Sequence, residues 1–370
     1  MKSLVLTLFL LPIVASVAAV HEDRQIIPFP SAPARDVDAT SMQSIYVQVK
    51  TPYKYGVVIK GGPGELVDSP NVFRYQNKWY MVYIETKNEV GYQTYLASSD
   101  DLLHWKTEGV ILPFSDSGWD RWQASGGVAL RDINWPGTNE LETYNSKYWL
   151  SYLGGSLKGY ETDPLSIGLA WTSNPAEAKP WTRLAQNPVL TNRQTDTRDF
   201  EQATLYKSCI IWDKARSLGY PFVMFYNGKK LPGYERIGMA VSNNMIDWIR
   251  YGDKPVVANG EEKQEGGISG DPQVVKIGNL WVMFYFGAFW EPGAFDTFAC
   301  SYDLVHWTKW SGEKLIKAGE PYDQQAAHKP SILSFRGVVY HFYCAVGNQG
   351  RVIALATSQP ISPPSPGNHP

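Results

Sequence analysis

Cysteine is scarce in this 370-residue sequence, which contains only Cys209, Cys300 and Cys344. An odd number of cysteines at such wide spacings fits neither a disulfide framework nor a zinc-binding pattern. Cys300 and Cys344 lie in apolar, strand-like stretches. We therefore expect buried free thiols, with a single bridged pair as the alternative.

An excess of charge of one sign is also lacking. The chain carries 34 Lys and Arg against 36 Asp and Glu, a net charge of −2. This balance argues against a surface for nucleic acid or anionic membranes. The Gly-x-Ser-x-Gly, P-loop and His-Glu-x-x-His patterns are absent. The run at residues 61–64 predicts a turn, because no helical pattern follows it.

Long apolar runs are missing except at the N-terminus. Met1 and Lys2 precede an apolar run from Leu4 to Val14, and small residues follow at 16–19. This order is typical of a secretory signal peptide, and the apolar run is too short to span a membrane. We expect residues 1–19 to be a signal peptide cleaved near Ala18 or Ala19, residues 20–50 to be an N-terminal extension, and the mature protein to be secreted or periplasmic.

Aromatic residues are abundant, with 14 Trp and 22 Tyr, and many of them fall in a repeat. A short aromatic strand pattern recurs at residues 79–83, 148–152, 222–226, 281–285 and 339–343. A second strand pattern follows each copy, and four copies then have a turn that ends in tryptophan. These tryptophans are Trp105, Trp181, Trp248 and Trp307. A fixed position in four repeats indicates an architectural role, so we exclude them from the functional site.

The last repeat lacks its closing strand, and residues 53–60 at the start of the chain resemble the missing piece. The sequence therefore predicts an all-β, five-bladed β-propeller with four antiparallel strands per blade. The N-terminal strand would close the last blade and leave no free sheet edge. The domain would span residues 51–359, followed by a Pro-rich tail at 360–370. Two tandem sandwiches are the alternative fold, but five copies in register do not suit it.

Titratable residues open several of the predicted blades. When the first strands are aligned on their apolar residues, Asp68, Glu201 and His328 fall at one position and Asp271 lies one step further along. Because the first strand of each blade lines the central channel, we expect these side chains to converge on one pocket. Two carboxyl groups that face each other, one ionised and one protonated, are the minimum for glycosidic hydrolysis.

Three features of these strand openings resemble those of a known enzyme group. They are Asp68-Ser69-Pro70, Gly270-Asp271-Pro272 and the late His328. The blade layout and these motifs resemble the five-bladed glycosidases of glycoside hydrolase families 43 and 117. The resemblance implies that Asp68 is a general base, that Asp271 or Asp199 tunes the pKa of the acid, and that Glu201 or His328 is that acid. In some family 43 members a channel histidine helps to hold calcium, so a structural Ca²⁺ in the channel is an open alternative; no cofactor is required.

The expected function is that of a secreted glycoside hydrolase that cleaves plant or algal oligosaccharides or polysaccharides with inversion. Alternatives are a non-catalytic sugar-binding propeller and a glycan phosphorylase or transferase. Loops that share the active face should bind substrate, through Trp119, Trp122, Gln123, Asp199 and Trp290. No nucleic acid or membrane partner is expected.

Overall fold

The part of the chain that the structure describes is almost entirely β-structure. The computed structural model describes residues 25–31, 33–86, 90–258, 267–289 and 293–361. The predicted signal peptide and Trp290 lie outside these ranges. Helix α1 (Ala39–Val49) begins at Asp38, whose carboxylate accepts from the Ser41 backbone N–H at 2.9 Å. No helix within the described ranges is long and apolar enough to cross a membrane.

The strands in the first half of the chain form one eight-stranded sheet after an initial separate strand. In chain order they are β1 (Tyr53–Ile59), β2 (Val67–Tyr75), β3 (Lys78–Thr86), β4 (Tyr92–Ser99), β5 (Lys106–Leu112), β6 (Gln123–Val128), β7 (Tyr148–Gly155), β8 (Ser166–Thr172) and β9 (Thr182–Arg183). Strands β2 to β9 form the sheet. It consists of two antiparallel groups joined by one parallel pair, Tyr92 with Gln123.

A nine-stranded sheet repeats this arrangement in the second half. Its strands are β10 (Thr204–Trp212), β11 (Phe222–Lys230), β12 (Tyr234–Ser242), β13 (Trp248–Arg250), β14 (Ile268–Ile277), β15 (Leu280–Ala288), β16 (Ala294–Ser301), β17 (Thr308–Lys309) and β18 (Ile316–Lys317). One parallel pair, Glu235 with Ile268, again joins two antiparallel groups. A turn of 3-10 helix (Asp199–Glu201) precedes β10.

The last sheet combines the first strand with the last three strands. It contains β19 (Ala326–Phe335), β20 (Val338–Gly347) and β21 (Gly350–Thr357), and β1 pairs antiparallel with β21 at its edge. The all-β class expected from the sequence is confirmed. The five aromatic strand patterns lie in β3, β7, β11, β15 and β20.

The tryptophan turns are repeated structural elements. The indole N–H groups of Trp105, Trp248 and Trp307 each donate to the backbone carbonyl three residues earlier, at 2.8–3.1 Å. Each accepting residue has a left-handed φ of 66–69°, and these residues are Leu102, Met245 and Leu304. The shared geometry supports the architectural role that the sequence predicts for these tryptophans.

Four strands share a β-bulge whose bulged residue lines one small polar channel. Ser69, Lys207, Asp271 and Lys329 have φ angles of 51°, 47°, 52° and 64° and lie at register breaks in β2, β10, β14 and β19. Non-glycine residues rarely adopt such angles, and bulges of this kind often lie next to active sites. All four residues line a polar channel of about 70 Å³.

Candidate active site

A cavity of about 440 Å³ adjoins this channel, and Asp271 and Lys329 line both. Its wall combines aromatic rings, carboxyl groups and cations from several strands and loops. Residues that carry chemistry in this wall are Tyr160, Glu161, Tyr206, Glu235, Asp271, Phe286, His328, Lys329 and Arg351. A concave site with a few convergent polar groups is the usual form of a small-ligand or active site.

Asp68 lies behind this wall as a buried anchor. Its Oδ2 accepts from the Tyr160 hydroxyl at 2.8 Å, from Lys329 Nζ at 2.9 Å and from Arg351 Nη1 at 2.8 Å. Its Oδ1 accepts from the Ser69 backbone N–H at 2.6 Å. Burial opposes ionisation, but the nearby cations outweigh it and hold the pKa of Asp68 well below its usual range. Because both oxygens are occupied, Asp68 is poorly suited to the role of general base.

Glu161 is the ionised carboxylate of the cavity wall. It lies in the loop between β7 and β8, and its Oε1 is 3.3 Å from both Lys207 Nζ and Lys329 Nζ. Burial alone would raise its pKa, but these two ammonium groups, with the Arg351 guanidinium, outweigh burial and lower it. Glu161 has a left-handed φ of 44°, so the loop holds a strained conformation at this residue.

Glu235 is the cavity carboxyl group with the opposite behaviour. It lies in β12 with only 9% of the residue exposed, and the hydroxyl of Tyr206 is hydrogen-bonded to it. Burial raises the pKa of Glu235 to about 7, and the negative charges of Glu161 and Asp271 act in the same direction. Much of this group is therefore protonated near neutral pH, while Glu161 is ionised.

Asp271 and His328 also face the cavity. Asp271 Oδ1 accepts from Asn227 Nδ2 at 3.0 Å, and burial raises the pKa of this carboxyl group. The His328 ring packs edge-on against Phe286, with ring centroids 5.3 Å apart. Burial, with Lys329 acting in the same direction, lowers the pKa of His328 to about 3. A neutral imidazole of this kind cannot supply a proton as an imidazolium ion at neutral pH.

The polar channel contains an ammonium group in its lining. Lys207 Nζ donates to Ser69 Oγ at 2.7 Å and to Ser125 Oγ at 3.2 Å. Within the described residues no cluster of three or more His, Cys, Asp or Glu side chains forms a metal-binding set. The oxygen atoms around Lys207, two hydroxyls and the Glu161 carboxylate, already bind its ammonium group, so this set does not fit the Ca²⁺ considered from the sequence.

Comparison with known proteins agrees with this chemistry. No family model matches the sequence. A solved structure of BT0996, named as an RGII complex, is 44% identical, with a TM-score of 0.84, over 89% of this protein and 98% of that one. A second, named "Glycoside hydrolase", is 43% identical over the same shares, also with a TM-score of 0.84. The protein belongs to the glycoside hydrolases.

More distant relatives of this glycoside hydrolase share its fold. A thermostable family 43 glycoside hydrolase matches at 15% identity and a TM-score of 0.62, over 86% of this protein and 99% of that one. The family 117 glycoside hydrolase Zg3597 from Zobellia galactanivorans matches at 14% and 0.59, over 84% of this protein and 91% of that one. The resemblance to these families is thereby confirmed.

A curated relative introduces a second activity. The 1,2-beta-oligomannan phosphorylase of Thermoanaerobacter sp. (strain X514) is 28% identical over 169 residues, which are 43% of this protein. The sequence spans about half, 52%, of the length of that relative. Phosphorolysis is thus the alternative chemistry to test for this glycoside hydrolase.

The structure does not bring Glu201 to the cavity. Glu201 is fully buried in another hydrogen-bond network. Its carboxylate accepts from Arg250 Nε at 2.7 Å, from Tyr226 Oη at 2.5 Å and from Arg198 Nε at 2.8 Å. The alignment with Asp68 is wrong, because Tyr206 precedes the bulge of β10 and Glu201 lies five positions earlier, before the strand begins. Two arginines outweigh burial and lower the pKa of Glu201, which does not suit an acid.

None of the predicted substrate-binding residues within the described ranges lines the cavity that contains Glu235. Asp199 is exposed and pairs with Lys230 at 2.6 Å, outside the cavity lining. Gln123 is buried, and its Nε2 donates to the carbonyls of Leu157 and Gly159 at 2.9 and 2.6 Å, so it holds the loop that carries Glu161. Trp122 packs against Phe114, with ring centroids 5.6 Å apart, and Trp119 stacks on Tyr152 at 5.5 Å.

The sequence pattern alone does not predict Glu161 and Glu235 as site residues. Both follow tyrosines, Tyr160 and Tyr234, that border the connections from the second to the third strand of their groups. These connections share one face of the fold with the bulges. An acidic residue in that loop or at the start of the third strand is therefore a sequence signal for a site residue. The strand pattern does not fix which loop position faces the cavity.

Proposed function

We propose that this glycoside hydrolase cleaves a glycosidic bond in plant or algal glycans of the kind represented by RGII. One observation carries the proposed chemistry: Glu161 and Glu235 line one cavity and have pKa shifts of opposite sign. A pair of carboxyl groups, one ionised and one protonated at the same pH, is what glycosidic hydrolysis requires. The 44% identical structure named as an RGII complex supports the substrate class.

Glu235 is the proposed general acid. A pKa of about 7 matches proton donation near neutral pH, where both donation and recovery of the proton are feasible. In the reaction, the Glu235 proton passes to the glycosidic oxygen as the bond between that oxygen and the anomeric carbon breaks. The hydroxyl of Tyr206 holds the carboxyl group in place during this transfer.

Glu161 is the proposed base in a single displacement that inverts the anomeric centre. A water molecule forms the new bond to the anomeric carbon and gives its proton to Glu161, and solvent then restores both carboxyl groups. The polar channel supports this scheme, because it adjoins the cavity through Asp271 and Lys329 and can supply the water. Asp271 would orient that water, and Asp68 would position Lys329, Arg351 and Tyr160 rather than act as base.

The anomer that is released first tests the stereochemistry. Proton NMR during the first minutes of hydrolysis should show the inverted anomer. A retained anomer would make Glu161 a nucleophile that forms a covalent intermediate. It would contradict the single displacement by water and leave the assignment of Glu235 as the acid intact.

Phosphorolysis is the second candidate, favoured by the phosphorylase relative and by the cations in the cavity wall. Those cations are already paired: Lys329 contacts Asp68 and Glu161, and Arg351 contacts Asp68. Hydrolysis is therefore preferred. Assays with and without inorganic phosphate decide between the two, since release of a sugar phosphate would establish phosphorolysis.

We also propose the finer architecture and the cellular location given by the sequence. Each larger sheet divides into two groups at a single parallel pair, and the last sheet includes β1. These features support a five-bladed propeller over residues 51–359 with β1 as the closing strand. The apolar run at residues 4–14 supports export. N-terminal sequencing of protein secreted by the native host tests cleavage near Ala19.

A further inference from the structure

A second cavity, of about 240 Å³, is lined in part by the loop that carries Glu161. Trp119 lies at this cavity, together with Ser156 and Pro164 of the loop and with Asn192 and Arg193, which follow β9. It shares no lining residue with the cavity that contains Glu235.

The indole of Trp119 is held as a rigid, flat surface. Its ring stacks on Tyr152 and lies over Gly168, where an added Cβ would come within 2.8 Å of Trp119 Cη2. The next residue, Asp120, is buried and accepts from Ser115 Oγ, Tyr152 Oη and Arg183 Nε at 2.7–3.0 Å. A rigid aromatic ring provides contact area at little entropic cost, and its amphipathic surface suits the apolar face of a sugar.

The rest of this cavity is polar. Asn192 Nδ2 donates to the carbonyls of Gln202 and Ala203, both at 3.0 Å, so its position is fixed. Arg193 is exposed, and its guanidinium group offers several N–H donors at the cavity edge. An aromatic platform with polar groups around it is an arrangement that can bind the apolar face and the hydroxyl groups of one sugar residue.

The two cavities are joined by a well-held loop. Tyr160 and Glu161 line the catalytic cavity, and Pro164, three residues after Glu161, lines the second one. Three residues of polypeptide span at most about 10 Å. The loop is fixed by Gln123 at Leu157 and Gly159, and by Lys229, whose Nζ donates to Asp163 at 2.9 Å.

We propose that the Trp119 cavity is a second sugar-binding site for the same glycan, on the leaving-group side of the bond that is cleaved. This proposal rests on the proposed hydrolysis, because the cleaved bond defines the leaving-group side. The terminal sugar of the glycan would occupy the catalytic cavity. The occupant is a glycosyl residue that stacks on Trp119 and hydrogen-bonds to Arg193. The site would increase affinity for longer substrates and leave the chemical step unchanged.

The test compares a long with a short substrate. Trp119→Ala and Arg193→Ala would be assayed on an RGII-derived oligosaccharide and on an aryl glycoside of the sugar that the wild-type enzyme releases. We expect kcat/KM on the oligosaccharide to fall about tenfold for Trp119→Ala and a few-fold for Arg193→Ala, mainly through KM. The aryl glycoside, which lacks the distal residues, should be cleaved at the wild-type rate.

Arg216→Ala is the matched control, since Arg216 is also exposed and lines a different cavity. Equal losses on both substrates, or no loss with either variant, would overturn the proposal. Because Arg193 is exposed, its variant keeps the test valid if Trp119→Ala fails to fold. Calorimetric titration with the same oligosaccharide separates this proposal from the proposed hydrolysis. If the wild type binds the oligosaccharide without turnover and both variants bind it more weakly, the result would contradict the hydrolysis and support the second binding site.

Discussion

Lys329 Nζ lies 2.9 Å from Asp68 Oδ2 in an ion pair whose two side chains are only 6% and 1% exposed. The same ammonium group is 3.3 Å from Glu161 Oε1. The buried carboxylate of Asp68 therefore positions Lys329, which helps to keep Glu161 ionised at the cavity. This relationship makes Asp68 essential to the site although it does not line the cavity itself.

Asp68→Asn should destabilise the fold as well as abolish activity. The substitution leaves Lys329 and Arg351 buried beside a neutral amide, and removal of one partner from a buried ion pair costs about 3–5 kcal/mol. Chemical denaturation measures this loss. Asp199→Asn is the control, because its exposed pair with Lys230 should contribute at most about 1 kcal/mol. Equal stability of wild type and Asp68→Asn would contradict the anchoring role.

The stabilising effect of Asp68 should depend on pH in a defined direction. Its folded-state pKa is lowered, so its contribution is present above the unfolded-state pKa, about 4, and is lost as pH falls through the folded value. Unfolding free energies measured from pH 7 down to pH 2 should fall for the wild type. The Asp68→Asn variant should show a smaller fall over this range, and parallel curves would argue against the depressed pKa.

Glu201→Gln separates a structural from a catalytic role for this residue. Its two buried arginine partners would lose their carboxylate, so stability should fall by about 3–5 kcal/mol. The folded fraction should retain the pH profile of the wild type, because Glu201 does not line the catalytic cavity. Loss of the alkaline limb of that profile in folded protein would restore Glu201 as the acid.

Lys207→Met should change the ionisation of Glu161. Loss of the ammonium group removes one of the three cations that lower the pKa of Glu161, the others being Lys329 and Arg351. We expect the acidic limb of kcat/KM to move up by about one pH unit, since a single nearby charge has an effect of this size. Lys207→Arg should preserve the wild-type limb. An unchanged acidic limb in Lys207→Met would show that Lys329 and Arg351 keep Glu161 ionised without Lys207.

Much of the fold is predicted by local pattern, because all five repeats contain an aromatic strand and four of them a tryptophan turn. The openings that contain Pro70, Pro272 and Pro330 also aligned correctly, because proline within a strand marks the shared bulge. The opening of β10 lacks this proline, so the sequence pattern predicts its register five residues too early and indicates Glu201 in place of Tyr206. Glu161 could not be predicted from strand periodicity, because it belongs to an irregular loop held by contacts from distant strands.

The most direct test of the central claim compares Glu235→Gln with wild type on two leaving groups. An acid is needed to protonate a sugar leaving group but is hardly needed by dinitrophenolate. The account predicts a loss of about 10² to 10⁴ in kcat on the RGII-derived oligosaccharide, disappearance of the limb near pH 7, and near wild-type rates on the dinitrophenyl glycoside. Equal losses on both substrates, or a preserved limb near pH 7, would contradict the assignment of Glu235 as the general acid.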